Sequence, residues 1–348
     1  MHQYKDLAIP IAWPDQTARG DELWMAVFKK LGVIKNLNFK VGHAAIVLVE
    51  RKTGTLRYFD FGRYITPRGF GRARSSLFDP RLELETIAKF SIDDELLNLE
   101  EILLELEQKE YATHGGGRLL CSLSEGVSFQ KGVSFAESLV DQGPILYGAI
   151  APSNNSCSRY VAQILVNALP KDDARSNKIL FPECLKASPT SNVVNAGLSR
   201  EIYCFSNSKL ESWLMGRWDS LKFQVELLEP NFSKKKSNIL PCDEILGFME
   251  EPAKPAHLPP NAQWLGGLGE GCWFTLDSYS DEIEITRFNY KGEIDYTVLS
   301  NSVREFNNQH SYEFSYQVHH QRHIIKQNNQ EVLFKTLDIN NLSLKKSI

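Results

Sequence analysis

GHAAIVLVE (42–50) and TLRYFDFGRY (55–64) are the runs whose reading decides the fold. Both are rich in β-branched and aromatic residues. They flank Lys52-Thr53-Gly54, where glycine can take the positive φ of a tight turn, so the pattern predicts a β-hairpin. With Thr53-Gly54 as a two-residue loop, Lys52 faces Thr55 and Val47 faces Asp60, which puts His43, Val47 and Asp60 on one face.

Working outward, DLAIPIAW (6–13) reads as a strand and DELWMAVFKKLG (21–32) as a helix with Asp21 as N-cap and Gly32 as stop. A strand is expected at 82–90, an acidic amphipathic helix at 93–110, strand character at 117–128, a helix at 130–141 and a buried strand at 144–150. SNNSCSRYVAQILVNALP (153–170) is a well-marked helix. Val161, Ile164, Leu165 and Ala168 form its stripe, Asn154 to Ser156 can cap it, and Pro170 ends it. Cys157 precedes Val161 by one helical step, so its thiol belongs to the first turn on the inward face.

The pattern weakens beyond 171. A Pro-rich linker is expected at 241–262, and short alternating runs such as GCWFTLDS, EIEITRFN and EVLFKT follow it. The expected fold class is therefore α+β: a domain over 1–240, in which 93–142 can be an inserted lid, then an all-β sandwich or barrel over 263–348.

Composition narrows the function classes. The chain has 348 residues, 42% apolar and 24% charged, which fits a globular chain large enough for two domains. With 39 basic against 43 acidic residues the net charge is −4, so no general field draws it to nucleic acid. There is no signal-like N-terminus and no run of about 18 apolar residues, so no membrane span and a cytoplasmic location are expected, with other export routes left open. The six cysteines show no CxxC spacing, so neither a zinc site nor a disulfide framework is expected. His319, His320 and His323 fall in a hairpin or turn pattern, where spacing does not gather them as on a helix. No metal or other cofactor is expected. His114 before three glycines lacks the lysine of a phosphate loop, GLGEG (267–271) has no helix after it, and no GxSxG occurs.

The sharpest constellation is Cys157 with His43. A thiol is nucleophilic as thiolate, and a helix N-terminus and a nearby imidazolium both favour that form. The bland reading of each residue alone is packing, since cysteine is among the most buried residue types. Asp60 is open between orienting His43 and pairing with Arg57 or Arg63. Residues 63–76 carry Arg63, Arg68, Arg72 and Arg74 with no acid between Asp60 and Asp79. Such a loop can hold a substrate anion, or carboxylates of its own domain.

The segments VGHAAIVLV (41–49), RYFDFGRY (57–64) and NNSCSRYV (154–161) resemble the circularly permuted papain-like cysteine hydrolases and acyltransferases, relatives of the NlpC peptidases and of the lecithin–retinol acyltransferase group. In these His precedes Cys. The likeness covers about 5–205, and the whole chain resembles a bacterial family that adds a C-terminal β module. It implies Cys157 as nucleophile, His43 as general base and acid, and Asp60 as the orienting third residue. The acyltransferases often use a second His where this chain offers Asp60 or Tyr58. Arg63, Tyr64, Arg68, Arg72 and Asn155 are assigned to substrate binding. The expected function is a thiol-dependent amidase or peptidase acting on a small peptide or amide, such as a cell-wall peptide. A lipid acyl hydrolase or acyltransferase, or a binding protein that uses the scaffold and the β module to dock a protein partner, is the alternative.

Overall fold

The computed structural model describes residues 4–148, 153–279, 282–307 and 309–337. It is a mixed α+β protein of two compact units. The first comprises Met1–Phe61, Leu82–Leu139 and Tyr147–Ile245, and the second Gly62–Arg81, Val140–Leu146 and Leu246–Ile348.

The first unit is built on a mixed-length antiparallel sheet. Its strands are β1 (Asp6–Trp13), β2 (His43–Glu50), β3 (Thr55–Gly62), β4 (Leu119–Cys121), β5 (Ser124–Val127), β6 (Glu201–Ser206) and β7 (Lys209–Leu214). They run in the order β7-β6-β4-β1-β2-β3, with β5 also pairing β1. Pro10 sits inside β1 opposite Ile46, yet has no partner on the other side, where β4 covers Ile11 and Ala12 and β5 covers Leu7 and Ala8. A residue without an N–H is tolerated where the ladder is interrupted.

The hairpin forms, but with a four-residue loop. Ala45, not Val47, faces Asp60, and Glu50 pairs with Thr55. A two-residue turn of the primed type needs positive φ at both central residues, and β-branched Thr53 resists it. In the longer loop only Gly54 takes positive φ, at +74°, and its N–H donates to Glu50 O at 2.8 Å. The register slips by two residues, a full side-chain period, so His43, Val47 and Asp60 keep a common face.

That face carries Ile9, Ile11, Val47, Val49 and Tyr58, covered by helix Leu99–Gln108 through Leu99, Ile102, Leu103 and Leu106. The 93–142 segment thus supplies apolar side chains to the core. The expected strand at 82–90 is absent. Three of its amides are taken by side chains instead, Glu85 and Thr86 N–H donating to the Glu105 carboxylate and Lys89 N–H to Asn98, while Ala88 N–H donates to Gly54 O. The helix correspondingly begins at Leu99 rather than 93, with Asn98 as its N-cap residue.

Helix Leu23–Lys30 buries none of its residues. Leu23, Trp24, Val27 and Phe28 are exposed, while Lys29 reaches back to Asp243 at 2.5 Å. Three helices beyond 171 had no clear sequence signal: Ala174–Leu180, capped by Asp173, Pro189–Ala196, opened by a Ser188 capping box, and Arg217–Phe232.

In the second unit a seven-stranded antiparallel sheet nearly closes into a barrel. Strands β8 (Gln263–Leu265), β9 (Cys272–Tyr279), β10 (Glu282–Phe288), β11 (Ile294–Ser302), β12 (Glu313–His319), β13 (Arg322–Gln327) and β14 (Gln330–Thr336) run in the order β8-β9-β10-β11-β14-β13-β12. The two edges meet through one side chain that imitates a peptide group. Gln263 accepts Phe314 N–H and donates to Tyr312 O, both at 2.9 Å. Asn328 and Asn329, both at positive φ, form the tight turn from β13 to β14. The strand expected at 144–150 is reduced to Ile145–Leu146, paired with Gly71 and Phe70, and its last two positions lie outside the described residues.

Candidate active site

Cys157 is the first residue of helix Cys157–Ala168. Ser156 caps the helix by accepting Arg159 N–H at 3.3 Å, and Val161, Ile164, Leu165 and Ala168 are fully buried. The apolar stripe anchors the helix, and the cap fixes where its first turn begins, leaving Cys157 half-buried at the end that favours negative charge.

His43 opens β2 and is 8% exposed. Its register partner is Trp13, whose indole stacks on the imidazole at 5.7 Å between centroids with 13° between planes. Gly42 makes this possible. It has φ +78°, and a Cβ there would stand 3.0 Å from Trp13 O and 3.1 Å from Pro14 Cα. Gly42→Ala is therefore expected to lower stability by about 1–3 kcal/mol, from strained backbone and crowding together. Urea unfolding measures it, and an unchanged midpoint would remove Gly42 from the account.

The imidazole joins two partners. Its Nε2 lies 3.5 Å from Oδ2 of Asp60, which is completely buried, and the ring is also hydrogen-bonded to the Cys157 sulfur. Tyr58 donates its hydroxyl to the same Asp60 Oδ2 at 2.9 Å. Burial by itself would push the imidazole down, but the bonds to Asp60 and then to Cys157 outweigh it and raise His43 to about 9. Burial would push the thiol up, yet the His43 bond and charge, a contact with the Ser158 hydroxyl and the Ala44 N–H bring Cys157 below the ordinary thiol range. The other shifted thiols go the opposite way: burial raises Cys121 and Cys272, and Cys204 to about 11. The three residues singled out in the sequence thus meet in one chain of contacts, sulfur to imidazole to carboxylate. The arrangement can hold a thiolate beside an imidazolium.

Asn155 is two residues from the sulfur, with its side chain bonded to Gln163 Oε1 at 3.1 Å and to Ser156 N–H at 2.9 Å. Lys186 was not found by sequence reasoning. Burial lowers its ammonium, while the charges of Cys157 and then Glu22 act to raise it, so a cation stands within electrostatic reach of the thiol. It comes from an irregular loop, which has no periodic signal.

Arg63, Tyr64, Arg68 and Arg72 belong to the second unit. Arg68 is exposed on a turn. Arg72 is 1% exposed, and its guanidinium donates to the carbonyls of Val318 at 2.9 Å, Ile65 at 2.7 Å and Tyr316 at 2.5 Å. Arg74 lies 3.7 Å over the Tyr64 ring and 3.8 Å from Glu270. Arg287 and Arg81 both engage Asp79, Glu270 and Asp295 within 3.1 Å. Among the described residues the one group of three His, Cys, Asp or Glu donors close enough for a metal is Glu270, Cys272 and Asp295. Arg287 contacts all three, so a guanidinium already supplies the positive charge there.

Residues 8–174 match the model of a family described as type VI secretion system effector TseH-like, and residues 262–337 match the DUF6695 C-terminal domain. Among solved structures the chain is similar to the crystal structure of the type VI secretion system effector TseH. The identity is 19% and the TM-score 0.42, over 60% of this chain and 98% of that one. No curated protein matches the chain. Among the described residues no helix is long and apolar enough to cross a membrane.

Proposed function

We propose that the first unit is a thiol hydrolase of the amidase or peptidase type, with Cys157 as nucleophile, His43 as general base and acid, and Asp60 orienting the imidazole. The observation that carries this reading is the Cys157–His43–Asp60 chain, with its lowered thiol and raised imidazole. The thiolate attacks an amide carbonyl carbon while the Cys157 N–H, in the first turn of the helix, donates to the developing oxyanion. As the C–N bond breaks, the His43 imidazolium gives its proton to the departing amine. Water then attacks the thioester, His43 takes its proton, and the carboxylate product and thiolate are released. With Nε2 turned to Asp60, Nδ1 is the nitrogen left for the thiol and the substrate.

Similarity of residues 8–174 to an effector family supports an effector role, and a short peptide such as a cell-wall peptide is the substrate class that fits. The β unit is free in this reading to dock a protein partner. The test is a panel of short peptide amides, including cell-wall peptides, scored for a free-amine product and for a thioester adduct by mass spectrometry. Cleavage by the native chain and none by Cys157→Ala is the expected result. A Cys157→Ala variant that cleaves as fast as the native chain sinks the proposal.

A further inference from the structure

We propose that Tyr58 is a positioning residue of this site: its phenol, bonded to the same carboxylate oxygen of Asp60 that faces His43, fixes that carboxylate against the imidazole. The inference rests on the reading of Cys157 and His43 as an ion pair. Tyr58 and Asp60 are alternate residues of β3 and so share a face, and their register partners Val47 and Ala45 lie on the same face of β2 as His43. Both are buried, Tyr58 at 2% and Asp60 at 0% exposure, so bulk water reaches neither. The Tyr58 ring packs in the apolar cluster of Val47, Val49 and Leu103, which leaves its hydroxyl one fixed place, 2.9 Å from Asp60 Oδ2.

The contact of Asp60 Oδ2 with His43 is long, 3.5 Å, and the phenolic bond to the same oxygen, at 2.9 Å, is the shorter of the two. The short phenolic bond stops rotation of the carboxylate and helps to keep it charged without water. A charged, fixed Asp60 in turn supports the imidazolium, and the imidazolium supports the thiolate. Tyr58 touches neither the sulfur nor the substrate in this scheme and acts only through Asp60.

The test is the pH dependence of Cys157 alkylation by iodoacetamide in the full chain, which needs no substrate. Other titratable groups near the chain of contacts are Tyr160, on which the Asp60 charge acts, with Glu137 close to it, and Lys186 near the thiol. All are common to the proteins compared, so differences report on position 58. Tyr58→Phe removes one oxygen from a buried ring. It is expected to move the acid limb of the profile upward by about one pH unit, the loss of one hydrogen bond to a charged group. Asp60→Asn should move it further, and the double variant no further than Asp60→Asn alone. Fluorotyrosine at position 58 donates a stronger bond from the same ring and should move the limb down. It keeps the test decisive where Tyr58→Phe does not fold. Coincident limbs in the native chain and the available position-58 variant overturn the assignment, as do additive shifts in the double variant. A native chain whose Cys157 titrates as an ordinary thiol overturns the ion pair instead, and the inference falls with it.

Discussion

His43→Ala is expected to slow alkylation of Cys157 at pH 7 by on the order of tenfold to a hundredfold, and to restore the rate when the pH is raised above about 10. In the native chain burial acts against the thiolate, and the His43 bond and charge are the largest influences that overcome it. Without them the thiol is left to burial, as Cys204 is at about 11. A thiol at that value is ionised in about one molecule in ten thousand at pH 7, which sets how selective the native chain should be for Cys157. The sign on the imidazole is the reverse. His43 is raised from 6.5 to about 9, so its contribution to stability is complete below pH 6.5 and is lost as pH rises through 9. Peptide mapping after timed iodoacetamide treatment measures each cysteine separately. Equal labelling of Cys157 in the native chain and His43→Ala would disconnect the two residues.

The second unit is expected to lose about 4–6 kcal/mol of stability between pH 7.5 and pH 5. Three histidines carry the effect. Burial, helped by the positive charges of Arg322, Arg72 and Arg287 and by each other, lowers His319 to about 3, His320 to about 4 and His323 to about 3. Each is neutral in the folded unit, whereas an unfolded histidine binds a proton below pH 6.5. Their stabilisation is thus complete above 6.5 and is lost as pH falls toward 3 to 4, at about 2 kcal/mol per group by pH 5. The three values are mutually dependent, and Asp295, held above its usual range by burial, opposes the loss, so the sum is an upper figure. The loss is comparable to the whole stability of a small domain. Pulse proteolysis in guanidinium at the two pH values, scored on fragments from 263–337, should show the midpoint fall at pH 5. A midpoint that does not move contradicts neutral burial of these rings.

How far the site could be read from sequence depended on which physical rule governed each residue. Side-chain parity in a hairpin has a period of two, so the predicted face of Asp60 survived a wrong loop length. The Cys157 helix carried its cap, stripe and stop within eighteen consecutive residues, and folded as written. The expected strand at 82–90 failed because alternation does not say where amides find acceptors, and here Glu105 and Asn98 supply them from a later helix. The Arg-rich run reads equally as an anion site or as an internal counter-charge. Arg72 on backbone carbonyls and Arg74 beside Glu270 are arrangements no local pattern distinguishes.

By itself the sequence determined the local elements around the thiol: a strand headed by His43, a neighbouring strand with Asp60 facing the same way, and a capped helix headed by Cys157. These follow from periodicity, capping and turn chemistry, which act between near neighbours. Only the tertiary structure decided that the three side chains form one chain of contacts, that Tyr58 completes it, and that Trp13 walls it. Contact between residues far apart in the chain depends on which sheet order and helix face bury the most apolar surface, a property of the whole unit rather than of any segment.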